Sequence, residues 1–311
     1  MHYVPTHEVD YETGEIVERI RVELDPGDRV EEAYKYDIRK AIAEHAGMKK
    51  EKKKWLKQHE RVLGKHIFTV FDRIDSQTTT RPKLAEGTYA RLIYLATYLD
   101  YDQRLKKTRD KPMTKKDAEK VLGLSRAEFY RFWKEVTDAK CITEGENGVL
   151  RLSKELCFKG RVKAKGLGIT RVYIAQLRKL YEATPPRSHR YLGAVFHMLP
   201  YVSVKYNVLC WNPLEEDIDK VEPMTLTDFC VLTGRSNGDV TRLRKEYQKI
   251  KFSMEDGITR WLCAFVRSDV GGQGEREITV INPRVVFMGE DWRYVEAHIM
   301  HFPEGQTVSN S

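Results

Sequence analysis

The chain has 311 residues, enough to bury a sizeable core and to build two domains of ordinary size. Lysine and arginine number 54 against 46 aspartate and glutamate, and the net charge of +8 favours a polyanionic partner such as nucleic acid. No stretch approaches the roughly 20 apolar residues of a membrane span, and residues 1–10 lack the apolar core of a secretion signal, so no membrane association and a cytoplasmic location are expected.

In chain order, Glu8-Val9-Asp10-Tyr11-Glu12-Thr13-Gly14-Glu15-Ile16-Val17 reads as a short hairpin turning at Thr13-Gly14. Residues 31 to about 63 have a helical pattern and hold the densest basic run, Lys49-Lys50-Glu51-Lys52-Lys53-Lys54-Trp55-Leu56-Lys57. That run is either a solvated helix face or an arm that contacts phosphate.

An internal repeat follows. Pro112-Met113-Thr114 recurs as Pro223-Met224-Thr225, an offset of 111 residues (224 − 113). The same offset joins Asp117 to Asp228, Gly123 to Gly234, Ser125 to Ser236, and Arg131, Lys134 and Glu135 to Arg242, Lys245 and Glu246. Each copy reads as two helices about a tight turn. Thr114 and Thr225 stand three residues before an aspartate, and Ser125 and Ser236 three before an acid, as capping boxes require. Gly123 and Gly234 fall where a left-handed residue ends the first helix.

In the second helix of the first copy, Phe129, Phe132, Trp133 and Val136 form one buried stripe. Arg126, Ala127, Tyr130, Arg131 and Lys134 are then left on the outer face. The second copy buries Val240, Leu243 and Tyr247 and leaves Asn237, Gly238, Thr241, Arg242 and Lys245 outward. These residue types suit phosphate and base-edge contacts, although ion pairs with nearby acids are the alternative for Arg131, Lys134, Arg242 and Lys245.

The period then changes to that of strands, in Cys141-Ile142-Thr143 and Val149-Leu150-Arg151-Leu152, and again in 261–267 and 278–281. Each pair is a candidate wing, carrying Arg151 in one copy and Arg267 and Arg276 in the other. Both copies close on a glycine phrase, ending at Gly160 and Gly289, an offset of 129 that implies 18 inserted residues (129 − 111), mostly in the second wing region. An apolar helix precedes each unit, with Leu92, Leu95, Ala96 and Leu99 in one and Leu192, Val195, Phe196 and Leu199 in the other.

Five cysteines, Cys141, Cys157, Cys210, Cys230 and Cys263, are widely spaced without a CxxC pair and read as small core residues. No phosphate-binding GxxxxGK[ST] loop, HExxH or HxH occurs, and His298 with His301 lacks further ligands. No catalytic residue, metal or cofactor is therefore expected.

The phrase Ile281-Asn282-Pro283-Arg284-Val285-Val286-Phe287-Met288-Gly289-Glu290-Asp291, together with Asp10 to Val17, resembles the RepL family of plasmid replication proteins. That resemblance implies a winged helix and a role in plasmid or phage replication initiation. The duplicated unit is similar to tandem winged-helix initiators, and Leu152-Ser153 departs from the family's Asn-Pro.

The expected fold is α+β and mainly helical. A hairpin and basic helical arm (1–66) precede a first winged helix-turn-helix unit (67–160), a basic linker (161–170), a second unit (171–303) and a disordered tail (304–311). The expected function is sequence-specific binding of double-stranded DNA, with transcriptional regulation or a protein-interaction scaffold as alternatives. The expected DNA-contacting set is Ser125, Arg126, Tyr130, Arg131, Lys134 and Arg151 in one unit, and Ser236, Asn237, Thr241, Arg242, Lys245, Arg267 and Arg276 in the other. Host replication proteins are the expected further partners, and both a monomer and a homodimer on DNA stay open.

Overall fold

The structure, a computed structural model, describes residues 2–9, 16–23, 60–61, 63–72, 82–108, 110–160, 168–253, 257–269, 275–289 and 305–306. The basic run at 49–57, most of the linker, and His298 and His301 lie outside the described residues. The chain divides into two compact units, 1–59 and 60–311. In the first, β1 (His2–Val9) pairs antiparallel with β2 (Ile16–Glu23), so the expected hairpin is present with strands of eight residues each.

The second unit mixes helices with small antiparallel sheets. Its centre is a four-stranded sheet made of β3 (His66–Phe71), β6 (Cys157–Phe158), β7 (Gly168–Tyr173) and β12 (Val286–Phe287), in the order β12-β7-β3-β6. The register reveals a dyad. Phe68 pairs with Phe158 and Thr69 with Cys157 on one side; Arg171 pairs with Phe287 and Val172 with Val286 on the other. Phe68 and Arg171, which are equivalent by these pairings, also face each other across the β3–β7 ladder. An approximate two-fold axis therefore passes between them, and the two repeats share one sheet. Because β7 begins at Gly168, the last three residues expected to be linker are strand.

Each half then supplies three helices and a hairpin. The first has α1 (Glu86–Ala96), α2 (Lys115–Leu122), α3 (Arg126–Asp138) and the pair β4 (Ile142–Glu144) with β5 (Leu150–Leu152). After an additional helix α4 (Ile174–Ala183), the second has α5 (His189–Met198), α6 (Leu226–Leu232), α7 (Asn237–Tyr247) and the pair β10 (Cys263–Asp269) with β11 (Glu275–Ile281). Capping boxes decide where four of these helices, α2, α3, α6 and α7, begin. The hydroxyls of Thr114, Ser125, Thr225 and Ser236 donate to Asp117, Glu128, Asp228 and Asp239 at 2.7–2.8 Å. Gly123 then stops α2 in the left-handed region (φ 61°), where a Cβ would be strained.

Backbone bonds repeat as well as side chains. Leu105 N–H donates to Leu150 O and Leu209 N–H to Thr279 O; Met113 N–H donates to Leu105 O and Met224 N–H to Leu209 O. Two buried amides close the equivalence. Gln103 donates from Nε2 to Leu152 O and Cys157 O, and Asn207 donates from Nδ2 to Ile281 O and Val286 O. Both residues have left-handed backbones (φ 64° and 56°).

The inserted residues are placed differently from the expectation. Ser153 N–H donates to Cys141 O, and Asn282 N–H donates to Leu262 O, which makes Leu262 the counterpart of Cys141. Ten of the 18 added residues (262 − 141 − 111) thus precede the second hairpin, where β8 (Lys251–Ser253) and β9 (Ile258–Trp261) form a ribbon of their own. Only the other eight lengthen the hairpin. Within the stretch expected to be a disordered tail, β13 (Gly305–Gln306) pairs with Thr259 and Ile258 of β9.

The core runs through both halves. Helices α1 and α5 cross at the dyad, and Gly193 lets α5 approach the carbonyl of Glu86 so closely that a Cβ would overlap it. Phe129, Phe132, Trp133 and Val136 are buried as their spacing requires, as are Leu243 and Tyr247, while Val240 is partly buried. All five cysteines are free and buried. Each large aromatic in this core is worth about 3–5 kcal/mol by truncation to alanine.

Two histidines make stability depend on acid. Burial pushes His189 down to about 4, where its Nε2–H donates to Thr184 O at 2.9 Å, and burial, with Arg171 and Lys159 adding repulsion, pushes His66 down to about 4. The unfolded imidazole titrates near 6.5, so between pH 6.5 and 4 the unfolded chain binds more protons and stability falls as the pH is lowered. The expected slope is up to about 1.4 kcal/mol per pH unit for each histidine. Urea midpoints at pH 7.5, 6 and 5 should fall steadily, and His189→Phe should flatten the decline. Superimposable profiles would remove His189 from this role.

Candidate nucleic-acid interface

The outer face of α3 is set by the stripe it buries. With the four apolar residues inward, Arg126, Ala127, Tyr130, Arg131 and Lys134 are all exposed, and Tyr130 is 68% exposed at the centre of that face. A large exposed aromatic flanked by three cations is suited to a groove of a nucleic acid, where the ring packs on sugar or base edge and the cations meet phosphate. Glu135, repeated as Glu246, plays a different part. It accepts from Ala85 N–H at 2.6 Å and Thr88 Oγ1 at 2.5 Å, while Glu246 accepts from Ser188 Oγ at 3.3 Å. In both halves this acid anchors the outward-facing helix to the start of the first helix.

Helix α7 presents Gly238, Thr241, Arg242 and Lys245. Arg242 pairs with Asp239 one turn back at 3.2 Å, so part of its charge is satisfied within the helix. Such an exposed pair is weak, at about 0.2–1 kcal/mol, and a phosphate can displace it. The side chain of Asn237 lies outside the described residues. Ser125 and Ser236 begin these helices, but their hydroxyls are held in capping boxes, which leaves them structural partners of Glu128 and Asp239.

The two hairpins differ. The second is fastened to its helix by the Arg244 to Glu277 ion pair and by Arg244 over the Phe265 ring. Arg267 and Arg276 belong to its paired region, opposite Glu277 and Ser268; their side chains lie outside the described residues. The first hairpin turns through exposed Glu144 and Glu146, and Arg151 is held by a bond from Nη1 to Asp102 O at 3.1 Å. Arg104 beside it is paired to Asp100 and Asp102. An acidic tip repels phosphate, so the expected wing contact of Arg151 stands beside unfavourable charges at Glu144 and Glu146.

Other cations do approach that surface. Lys107, Lys116 and Lys120 line a shallow depression beside Gly123 and Leu124 at the turn between α2 and α3. Lys107 is paired to Asp117 at 2.7 Å, and Lys115 lies over the Trp133 ring at 5.0 Å. Sequence reasoning passed over this group. The signal was present as Lys116 and Lys120 four apart on one helix face.

Among the described residues no group of three or more histidine, cysteine or acidic side chains is arranged to hold a metal ion, and no helix is long and apolar enough to cross a membrane. No protein-family model, curated protein or solved structure matches the chain.

Proposed function

We propose that the chain is a sequence-specific double-stranded DNA-binding protein whose two halves are winged helix-turn-helix units. The observation that carries this reading is the dyad, which relates two solvent-facing helices with matched cations, Arg131 with Arg242 and Lys134 with Lys245. A two-fold protein reads half-sites in inverted orientation, spaced by about 10–10.5 base pairs or a multiple. The half-sites differ, because Tyr130 has Thr241 as its counterpart and Arg126 has Asn237.

Replication initiation is the biological role we infer, on the resemblance of 281–291 to the RepL phrase. Asn282 in that phrase also shapes the turn it occupies, since its Oδ1 accepts from Arg284 N–H at 2.9 Å and its Nδ2 donates to Trp261 O at 2.7 Å. Ser153, the counterpart of Asn282, accepts likewise from Glu155 N–H at 3.3 Å, so Ser153-Lys154, and not Leu152-Ser153, stands in the first half where the second has Asn282-Pro283.

The test is selection of sites from random and parental-genome DNA, followed by affinities at several salt concentrations. A bipartite inverted site is expected, with log K falling by about 0.9 per phosphate neutralised for each unit of log salt. Arg131→Ala with Lys134→Ala should cost about 1–3 kcal/mol per base contact, relax one half-site, and reduce the salt slope by about one for each phosphate no longer neutralised. Arg242→Ala with Lys245→Ala should relax the other. No enriched site, with both double variants binding like the parent, would eliminate DNA reading by these helices. The genomic position of the site, at an origin or over a promoter, separates initiation from regulation.

A further inference from the structure

The two halves also diverge at a loop where the second is seven residues longer (12 − 5). Lys106 bridges to Pro112 in the first half, and Cys210 bridges to Pro223 in the second. Between those rungs the first half has five residues, 107–111, rich in cations; the second has twelve, 211–222, which read Trp-Asn-Pro-Leu-Glu-Glu-Asp-Ile-Asp-Lys-Val-Glu.

The longer loop is pinned in place. Asn212 donates from Nδ2 to Lys220 O and accepts at Oδ1 from Glu222 N–H, both at 2.8 Å. Tyr206 Oη and Lys205 Nζ donate to Glu216 O at 2.6 and 3.0 Å, and Val204 N–H donates to Pro213 O at 2.9 Å. This bracing holds apolar side chains out in solvent, with Trp211 43%, Leu214 54% and Ile218 55% exposed. Beneath Trp211 and Leu214 is a groove of about 650 Å³, lined among others by Phe71, Val204, Pro213 and Met288. Of the loop's acids, Glu215 and Glu216 line the groove, and Asp217, Asp219 and Glu222 follow in the same loop, against Lys205 and Lys220, the latter paired to Asp217.

An exposed apolar groove with a polar rim marks an interaction surface. On a chain of net charge +8, an acidic rim faces away from DNA chemically and toward a cationic partner. We propose that this groove docks a short amphipathic segment of a partner protein, whose apolar side chains fill it and whose lysines or arginines meet the acidic rim.

The test uses the full chain and two synthetic, fluorescently labelled 15-residue peptides with the same leucine and phenylalanine positions at helical spacing, one carrying lysine and arginine between them, the other aspartate and glutamate. Anisotropy titrations should show the basic peptide binding at least ten-fold tighter, and more weakly as salt rises. Leu214→Ser should weaken it ten-fold or more. So should Glu216→Lys with Asp219→Lys, chosen because the loop's bonds use these residues' backbones, and this variant should gain affinity for the acidic peptide. Affinity for the selected DNA site should not change in either variant, and thermal melts should confirm folding.

Equal binding of both peptides by the parent, or undiminished binding by Leu214→Ser, overturns the proposal. Concentration-dependent self-association in sedimentation velocity that Leu214→Ser abolishes would make the occupant a second copy of the chain and overturn it as well.

Discussion

Gly193→Val is expected to cost the 60–311 unit about 3 kcal/mol or more, a large share of the roughly 5–15 kcal/mol that stabilises an ordinary domain. The added Cβ would overlap the backbone carbonyl of Glu86, which belongs to a helix and cannot rotate aside. Relief requires α1 and α5 to separate, and with them Leu92, Ile93, Leu192 and Phe196, all essentially without exposure. Gly87→Ala is the control. A Cβ there would have Arg190 N as its nearest neighbour, at 3.8 Å, so helix propensity alone should make the change neutral to stabilising by up to about 1 kcal/mol. Denaturant melts of both variants decide the matter. Comparable midpoints for the two would mean that the helix crossing yields to a side chain and does not hold the halves together.

Asn207→Leu is expected to cost about 3–8 kcal/mol. Its amide serves Ile281 O and Val286 O, each at 2.8 Å, and it is fully buried. Leucine leaves two buried carbonyls without these donors, at about 1–3 kcal/mol each, and places a Cβ-bearing apolar residue at φ 56°, at about 1–2 kcal/mol more. Asn207→Gly removes the amide and relieves the backbone, so it should recover the last part alone. Gln103→Leu should behave like Asn207→Leu, since Gln103 makes the matching pair of bonds to Leu152 O and Cys157 O. Chemical denaturation of the three variants tests this. A Gln103→Leu protein as stable as the parent would show that the matching geometry does not carry matching energy.

The repeat was legible because its signals lie within a few residues of one another. Thr114 with Asp117 and Ser125 with Glu128 predict a cap wherever they occur, and the stripe from Phe129 to Val136 predicts its own burial. From that burial the outward position of Arg126, Tyr130, Arg131 and Lys134 follows directly. The hydroxyls of Ser125 and Ser236 were legible in two ways, as caps and as phosphate contacts, and the capping role is the one observed. Arg151 lies on the hairpin where it was expected; its bond to the carbonyl of Asp102, 49 residues away in the chain, was not legible. Loop 211–222 drew no reading from the sequence, although its length against 107–111 and its mixture of acids with Trp211, Leu214 and Ile218 are written there.

By itself, then, the sequence determined the helix starts, the turns, the apolar stripes, the buried cysteines and the existence of two related halves. These depend on capping bonds and periodicity that span a turn or two. Only the tertiary structure decided that the halves share one sheet about a dyad, that an inserted ribbon precedes the second hairpin, and that Gln103 and Asn207 do the same work. Those features rest on partners 54 and 79 residues apart, on strands of two residues, and on a helix crossing set by one absent side chain. No local propensity encodes such pairs, because their free energy appears only when the distant carbonyls have already been brought into the core.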